Sequence, residues 1–579
     1  MPTRSTAARI LAPALLVSVA GAAAAVPPLP FPAVFDLSSL DGENGFVLNG
    51  ITASDQSGHS VASAGDVNGD GIDDVIIAAP FGDPNGISNA GESYVVFGTS
   101  TGFAASLNLA TLNGTNGFVI NGIDADDRSG FGAFGPRAVS SAGDVNGDGV
   151  GDLIIGAWRA DPSGKSSAGE TYVVFGKATP FAASIELSDL DGTKSEERRG
   201  GKANRSRWGP DHSAGDVNGD GYGDLIIGAE NADPNANSSA GESYVVFGKA
   251  TPFTASIELS NLDGTNGFVL NGIDASDNSG NSVSSAGDVN GDGIGDLIIG
   301  AVLADPNGQA DAGESYVVFG KNTAVDGLFP ASFNLSTLNG TNGFVLNGID
   351  VDDYSGFSVS SAGDINGDGI DDLIIGASKA DPNGKYDTGE SYVVFGKDTA
   401  VDGPFAASLD LSALDGTNGF VCNGIGDAHY SGYFVSSAGD MNGDGIGDLI
   451  IGARPLPGSA EFGSAGEAHV VFGKSTPFAA SLNLSTLDGT TGFVCNGIDD
   501  PDLTGASVSF AGDVNGDGVG DLIIGAYGGD PGGQSNAGES YVIFGRAPVP
   551  ACTGDINGEG DTNAADFVIL AGNFGASVT

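Results

Sequence analysis

An acidic motif repeated seven times is the feature that most constrains the fold of this chain. The pattern Ala-Gly-Asp-x-Asn-Gly-Asp-Gly-x-x-Asp recurs seven times along 579 residues, with 72 to 78 residues between consecutive copies. Self-similarity at a nearly fixed period indicates repeated supersecondary units, each of which buries its apolar face against its neighbours. The chain is therefore expected to be one array of seven similar units.

Each unit contains four short apolar segments typical of β-strands. In the fourth unit they are Ser282–Gly287, Asp296–Ala301, Gly313–Gly320 and Gly343–Ile349, rich in Val, Ile, Phe and Tyr. Gly, Asn, Asp and Pro bound these segments, as expected for strands joined by tight turns. Four antiparallel strands repeated seven times predict an all-β fold, a seven-bladed β-propeller over residues 35–546. An open β-solenoid is the alternative, although its repeats are usually shorter.

The two ends of the repeat array predict how the ring closes. A lone segment, Gly45–Gly50, resembles the fourth strand of a unit and precedes the first complete repeat. The last repeat stops after Tyr541–Gly545 and lacks its own fourth strand. We therefore expect the N-terminal strand to complete the last blade, which would remove an exposed sheet edge.

The acidic motif has the composition of a calcium-binding loop. In the first copy, oxygen-bearing side chains stand at positions 1, 3, 5 and 9, and Gly71 at position 6 permits a sharp turn. Ca²⁺ takes six to eight oxygen ligands, and the backbone carbonyl of position 7 can supply one more, as in an EF-hand. Position 12 is the apolar Ile77 in the next strand. The sequence therefore predicts a strand–loop–strand calcium site.

The alternative is that these are seven plain hairpin turns, since Asn-Gly and Asp-Gly are strong turn formers. Three carboxylates close together would repel one another without a cation, which favours the metal site. Mg²⁺ suits such a flexible loop less well, and transition metals prefer His or Cys. The predicted ligands are Asp66, Asn68, Asp70, Asp74, Asp144, Asn146, Asp148, Asp152, Asp216, Asn218, Asp220, Asp224, Asp288, Asn290, Asp292, Asp296, Asp364, Asn366, Asp368, Asp372, Asp440, Asn442, Asp444, Asp448, Asp513, Asn515, Asp517 and Asp521.

These repeats resemble the FG-GAP repeats of the integrin α-subunit propeller. A Phe-Gly pair ends each third strand, as at Phe97-Gly98, and Gly-Ala follows each metal strand, as at Gly156-Ala157. The Pro that follows Gly-Ala in the family is mostly missing here; Ala79-Pro80 retains part of it. The resemblance covers Phe35 to Arg546 and implies a calcium-stabilised seven-bladed ring used in adhesion or ligand binding, sometimes beside an extracellular hydrolase. Integrin function itself is not implied, because we find no inserted ligand-binding domain and no leg domains.

Antiparallel geometry places the metal loops at one end of the blades and the other hairpin loops at the opposite end. Variation concentrates at that second end, in the insertion Phe131–Arg137, the replaced turn Arg454–Pro457, and the aromatic residues Tyr354, Tyr430 and Tyr433. Variable loops on a fixed scaffold are where binding usually occurs. Neutral drift of these loops is the alternative.

Charge and composition narrow the function. The chain has 74 acidic and 21 basic residues, a formal net charge of -53. This excludes nucleic acid as a partner and disfavours anionic membranes, because both need Lys and Arg. Only four His occur, at no repeated place, and no nucleophile elbow is present. We expect a non-enzymatic, monomeric binding or adhesion module for an extracellular protein or glycan; the alternatives are a polysaccharide hydrolase or lyase, or a structural surface or matrix protein.

The two ends of the chain carry segments outside the repeats. Residues 1–25 have a basic start, an apolar stretch and small residues before Val26, which predict a signal peptide. The mature protein is thus expected to be secreted or on the cell surface, without a transmembrane span. A linker, 547–551, precedes the tail 552–579, which resembles half of a dockerin. Its expected Ca²⁺ ligands are Asp555, Asn557, Glu559 and Asp566.

Two further features qualify this prediction. Residues 194–212 depart from the repeat and carry six of the 21 basic residues. They form either a basic recognition loop or a string that resembles a translated sequencing adapter; if genuine, they should leave one blade without its outer strand. Cys422 and Cys495 occupy equivalent places in two repeats. We expect them to be small core residues rather than a disulfide pair.

Overall fold

The computed structural model describes residues 31–132, 138–190, 197–200, 211–250, 252–454 and 465–546. All of these lie in one compact unit, Pro30–Ala547. The predicted signal peptide, the linker and the dockerin-like tail, with Asp555, Asn557, Glu559 and Asp566, lie outside the described residues.

Seven five-stranded sheets make up the described structure, and each is one blade. Blade 1 contains, from its first strand outward, Ser60–Gly65, Asp74–Ala79, Glu92–Val96, Gly117–Asn121 and Ser184–Glu186. Blade 2 contains Val139–Gly143, Asp152–Ala157, Glu170–Val174, Glu197–Gly200 and Ser256–Glu258. Blade 3 contains Asp211–Gly215, Asp224–Ala229, Glu242–Val246, Gly267–Asn271 and Ser332–Asn334. Blade 4 contains Ser279–Gly287, Asp296–Ala301, Glu314–Val318, Gly343–Asn347 and Ser408–Asp410.

The remaining three blades follow the same plan. Blade 5 contains Ser355–Gly363, Asp372–Ala377, Glu390–Val394, Gly419–Asn423 and Ser481–Asn483. Blade 6 contains Ser431–Gly439, Asp448–Ala453, Glu467–Val471, Gly492–Asn496 and Val34–Asp36. Blade 7 contains Ser507–Gly512, Asp521–Ala526, Glu539–Ile543, Gly45–Asn49 and Ser106–Asn108. The predicted seven-bladed β-propeller is confirmed.

The first strands form a closed central ring. Each packs against the first strands of the two neighbouring blades, and Ser60–Gly65 of blade 1 contacts Ser507–Gly512 of blade 7. Apolar side chains fill the space between adjacent sheets; Ile298 and Phe344 of blade 4, for example, share one core cluster with Tyr392 of blade 5. The second strands are buried along their whole length, which explains their continuous Leu-Ile-Ile pattern.

The fifth strand of each blade was not predicted from the sequence. It has three residues and pairs in parallel with the fourth strand, as Ser408–Asp410 does with Val345–Asn347. The segment between the third and fourth strands of each blade supplies it and reaches back to the outer edge of the preceding blade. Each blade therefore covers the exposed edge of its neighbour.

The N-terminal segment closes the ring at two places. Gly45–Asn49 pairs antiparallel with Glu539–Ile543, so the prediction that it completes the last blade is confirmed. Val34–Asp36 also pairs in parallel with the outer strand of blade 6. Phe31 stacks on Phe493 at 4.5 Å between ring centroids, and the Arg546 guanidinium lies 4.6 Å from the Phe31 ring. The segments at the two ends of the repeat array thus meet here. Together they form the same kind of junction between blades that a single segment forms elsewhere in the ring.

Two expectations about particular segments have clear outcomes. Glu197–Gly200 pairs with Glu170–Val173 and with Ser256–Glu258. The expectation that blade 2 lacks its outer strand is therefore wrong, because backbone pairing at this position needs no apolar sequence. Cys422 and Cys495 are both buried and free, which confirms their placement in the core.

Among the described residues, helical structure is confined to short pieces. The α-helices are Thr323–Asp326 and Thr399–Asp402. Single 3₁₀ turns occupy Leu37–Ser39, Leu109–Thr111, Leu187–Asp189, Leu259–Asn261, Leu335–Thr337, Leu411–Ala413 and Leu484–Thr486, and Pro84–Gly86, Pro162–Gly164, Pro234–Ala236, Pro306–Gly308, Pro382–Gly384 and Pro531–Gly533. Among the described residues, no helix has the length and apolar character needed to cross a bilayer.

Candidate metal-binding loops

The acidic loops connect the first and second strands of every blade. Position 9 of the motif is the first residue of the second strand, as Asp74 is in blade 1. Its side chain is completely buried, and its two carboxylate oxygens accept hydrogen bonds from the Gly98 and Val67 amides at 2.9 and 3.0 Å. The corresponding amides bind the position 9 carboxylate in all seven blades.

This arrangement explains the Phe-Gly pair at the end of each third strand. Gly98 lies where a Cβ atom would approach the Asp73 carbonyl oxygen to 2.3 Å. Only glycine brings its amide this close to the buried carboxylate without displacing the loop backbone. The Phe-Gly pair was recognised in the sequence as a family feature, and the structure gives it a role in holding the loop.

Positions 1 and 5 of each loop organise the turn. In blade 1, the Asp66 carboxylate accepts hydrogen bonds from the Gly69, Asp70 and Gly71 amides at 2.7, 3.0 and 2.8 Å. The Asp70 carboxylate accepts one from the Ile72 amide at 3.0 Å. Gly71 has φ of 87°, a conformation that a residue with a side chain rarely adopts. The loop backbone thus wraps around the carboxylate of position 1.

Neighbouring loops are joined in a continuous ring. The amide of position 8 in one blade donates to the carbonyl of position 1 in the preceding blade, as Gly151 does to Asp66 at 2.9 Å. The same bond recurs at all seven junctions, and the pair Asp73 to Asp513 closes the ring at 3.3 Å. A change in one loop can therefore reach its neighbours through the backbone.

Burial dominates the electrostatics of these loops. Burial, reinforced by Asp70 and Asp66, raises the pKa of Asp74 to about 8. The pKa values of Asp224 and Asp296 are likewise raised well above the ordinary range, chiefly by burial. Among the described residues, no Lys or Arg forms an ion pair with the three acidic residues of the blade 1 loop. Each loop therefore holds negative charge without a cationic side chain to offset it.

The donor set of the loops suits Ca²⁺, since every side-chain ligand offers oxygen. The Asn218 side-chain oxygen, at position 3 in blade 3, is buried and has no hydrogen-bond partner among the described residues. In the described ranges, however, no three His, Cys, Asp or Glu side chains are gathered in a metal-holding arrangement. The carboxylates of positions 1 and 5 instead accept hydrogen bonds from backbone amides. All 28 predicted ligands in the propeller lie in these hairpins at one end of the blades.

The opposite end of the blades is joined by different loops. The loop after each second strand packs on the loop that precedes the next first strand; in blades 1 and 2, the Ser129 amide donates to the Ala90 carbonyl at 2.9 Å. A Glu opens each third strand, and the Tyr two residues later donates to it, as Tyr316 does to Glu314 at 2.7 Å. In blade 6 this Tyr is replaced by His469, which lies 3.7 Å from the Glu467 carboxylate.

Comparison with known families fits this geometry. The family model described as FG-GAP repeat matches six segments, residues 57–96, 136–174, 211–246, 279–318, 355–394 and 504–543. The matched segments are similar to FG-GAP repeats. The matched segments correspond to the first three strands of blades 1, 2, 3, 4, 5 and 7. Blade 6, with its replaced turn and its Glu–His pair, is not among them.

Curated relatives of these repeats fall into two groups. The chain is 30% identical over 217 residues to integrin alpha-PS2 of Drosophila melanogaster, covering 37% of this chain and 14% of the relative. It is 31% identical over 216 residues to phosphatidylinositol-glycan-specific phospholipase D of Bos taurus, covering 36% and 23%. The enzyme of that name from Dictyostelium discoideum is 26% identical over 335 residues, covering 55% and 32%. The chain therefore spans about a third or less of each relative, and these matches support an integrin-like β-propeller.

Proposed function

We propose that the protein is a secreted, calcium-stabilised β-propeller that acts as an extracellular binding or adhesion module. The observation that carries this proposal is the ring of seven interlocked acidic loops, each with a buried aspartate and no cationic partner in the described structure. Such loops gain most from a bound cation, because Ca²⁺ would neutralise carboxylates that burial otherwise forces to take up protons.

The binding part of the proposal rests on the division of the molecule into two ends. The loops at the metal end are nearly identical in seven blades, whereas the opposite end carries the variable loops. Variation confined to one end of a fixed scaffold is expected where a ligand binds at that end. The integrin relatives support a binding role, and the net charge of -53 favours cations over nucleic acid.

Calcium stabilisation is tested by thermal unfolding of the full chain with excess Ca²⁺ and with excess chelator. A ligand at 100 times its Kd stabilises the folded state by about 2.7 kcal/mol per site. Seven sites should therefore produce a large fall in Tm on chelation, reversed by adding Ca²⁺ and not by Mg²⁺ alone. Superimposable melting curves with Ca²⁺ and with chelator would refute the calcium proposal.

An enzymatic role is the second candidate, because two of the relatives are named as phospholipase D. The alignments cover only 23% and 32% of those proteins, and a catalytic centre has not been identified in the described propeller. A screen of glycans and extracellular proteins, combined with hydrolase and lyase assays, separates the candidates. Saturable binding without turnover supports the binding module. Turnover abolished by one carboxylate substitution would establish an enzyme. If neither binding nor turnover is found, a structural matrix role is the candidate that remains.

A further inference from the structure

A band of aromatic and arginine side chains lies at the end of the propeller opposite the metal loops. It follows the starts of first strands and the residues just after second strands in blades 5, 6, 7, 1 and 2. We call this band the aromatic–arginine arc; its members are Phe357, Tyr433, Arg454, Tyr527, His59, Phe81, Phe131, Trp158, Arg128 and Arg159.

In blades 5 to 7, the arc is built around one arginine. The Phe357 and Tyr433 ring centroids are 4.8 Å apart. The Arg454 guanidinium lies 5.2 Å from the Tyr433 ring and 5.6 Å from the Tyr527 ring. Arg454 also donates a hydrogen bond to the Tyr433 hydroxyl at 2.9 Å. These rings are half-buried, so part of each remains accessible to a ligand.

The arc continues without a break into blades 1 and 2. His59 lies 5.0 Å from Tyr527 and 4.5 Å from Phe131, measured between ring centroids. Phe131 lies 6.1 Å from Trp158, and the Arg128 guanidinium lies 5.8 Å from Phe131. Contacts of this kind therefore connect five adjacent blades.

The propeller fold does not require this arc. In blade 4, Asn281 occupies the place of Phe131 and Val302 occupies the place of Trp158. Blade 4 nevertheless forms all five strands and the same buried core. The packing of a blade therefore does not require these aromatic and arginine side chains, whereas every blade has a Phe-Gly pair at the metal end.

The charge of the arc is unusual for this protein. The chain has 74 acidic residues and 21 basic ones, yet Arg128, Arg159 and Arg454 form no ion pair among the described residues. The Nε atoms of Arg128 and Arg454 are removed from solvent and have no hydrogen-bond partner in the described structure. The same holds for Nδ1 of His59, a side chain that is only 9% exposed. Arginine side chains that keep unpaired donors and lie among aromatic rings are suited to a planar anion.

We propose that the aromatic–arginine arc binds a saccharide that contains a uronic acid unit. Arg454 or Arg128 binds the carboxylate of this unit, and its sugar ring lies against the aromatic faces. The inference rests on the proposed binding function and names its ligand class. A pyranose ring presents an apolar C–H face that matches half-buried aromatic rings, and arginine binds a carboxylate through two parallel hydrogen bonds. A dense polyanion is disfavoured, because the net charge of -53 repels it at long range. An acidic peptide offers the carboxylate without the flat apolar ring.

The test uses isothermal titration of the full chain with a panel of short oligosaccharides, each of which carries a single galacturonic, glucuronic or mannuronic acid unit. Each is compared with its methyl ester, at a fixed saturating Ca²⁺ concentration. We expect at least one acid to bind and its ester to bind at least tenfold more weakly, since charge-assisted hydrogen bonds are lost. Arg454→Gln and Arg128→Gln should each weaken binding of the acid about tenfold or more.

Lys379→Gln is the matched control, because Lys379 lies 4.0 Å from the Tyr354 ring at the same end but outside the arc. This variant should retain wild-type affinity, and thermal unfolding should show that all variants are folded at the titration temperature. Equal binding of acid and ester, unchanged binding in both arginine variants, or tighter binding of an acidic peptide would each overturn the inference. If no uronate binds while chelation still lowers Tm and the wider screen finds another ligand, the inference fails and the proposed function stands.

Discussion

The two ends of the blades differ in how much their residues vary from one blade to the next. At the metal-loop end, the same residues recur in seven blades, and backbone hydrogen bonds connect every loop to the next. At the opposite end, equivalent positions hold His59, Phe131, Asn281, Phe357 and Tyr433, and contacts between aromatic side chains accompany the backbone hydrogen bonds of the loops. The difference shows that the metal-loop end is nearly uniform, whereas side chains at the other end can change from blade to blade without altering the fold.

The largest expected effect comes from paired substitutions at the two ends of one blade. In blade 5, Asp364 accepts three backbone hydrogen bonds, from Gly367, Asp368 and Gly369, and Asp381 at the other end accepts one, from Asp387. Asp364→Ala should cost about 2–4 kcal/mol of unfolding free energy, since charged hydrogen bonds and the calcium ligand proposed at this position are lost. Asp381→Ala should cost about 1 kcal/mol.

Chemical denaturation in excess Ca²⁺ measures both values, and repeating it with chelator gives the calcium-dependent share. The cost of Asp364→Ala should shrink on chelation, and that of Asp381→Ala should not change. Equal costs at the two ends would show that the metal-loop end has no special role in stability.

A smaller effect is expected from His59, at the variable end. Burial, followed by the charges of Arg454 and Arg128, lowers the pKa of His59 to about 3. Because this value lies below that of the unfolded chain, about 6.5, the unfolded state takes up a proton first as pH falls. Stability is therefore complete above pH 6.5 and is lost as pH falls towards 3, by about 2 kcal/mol at pH 5.

His59→Phe, which installs the residue that blade 2 has at position 131, removes this proton uptake. The difference in unfolding free energy between wild type and variant should change by about 2 kcal/mol between pH 7 and pH 5. Taking the difference cancels the pH response of the acidic loops, which both proteins share. A difference that is constant with pH would show that His59 does not titrate on unfolding.

The two ends also differ in how far the sequence could predict them. The seven blades, the position of the metal loops and the closing strand Gly45–Asn49 all follow from patterns within one repeat, and the structure confirms the blades and the strand. The three-residue fifth strands were missed, because segments such as Ser408–Asp410 are too short to show an alternating pattern.

The aromatic–arginine arc was missed for a different reason. Its members come from different repeats, and Phe357 and Tyr433 are brought within 4.8 Å only by the packing of adjacent blades. The sequence identified Tyr433 and Arg454 as variable, but the propeller geometry is needed to show that they touch. The hydrogen bond that connects each metal loop to the loop of the neighbouring blade was missed as well. It joins backbone atoms of two repeats, and a pattern of side chains does not predict such a contact.

The prediction with the smallest expected effect tests whether the two ends of the blades differ only in their loops. Lys474 lies 4.6 Å from the Phe478 ring near the metal end, and Lys379 lies 4.0 Å from Tyr354 at the other. Lys474→Met and Lys379→Met keep the apolar contact and remove the charge, so each should cost about 0.5–1 kcal/mol, because exposed cation–π pairs are weak. Chemical denaturation should give equal values at both ends. A much larger cost for Lys474→Met would show that the charge of this side chain contributes to holding the metal-loop end of the ring.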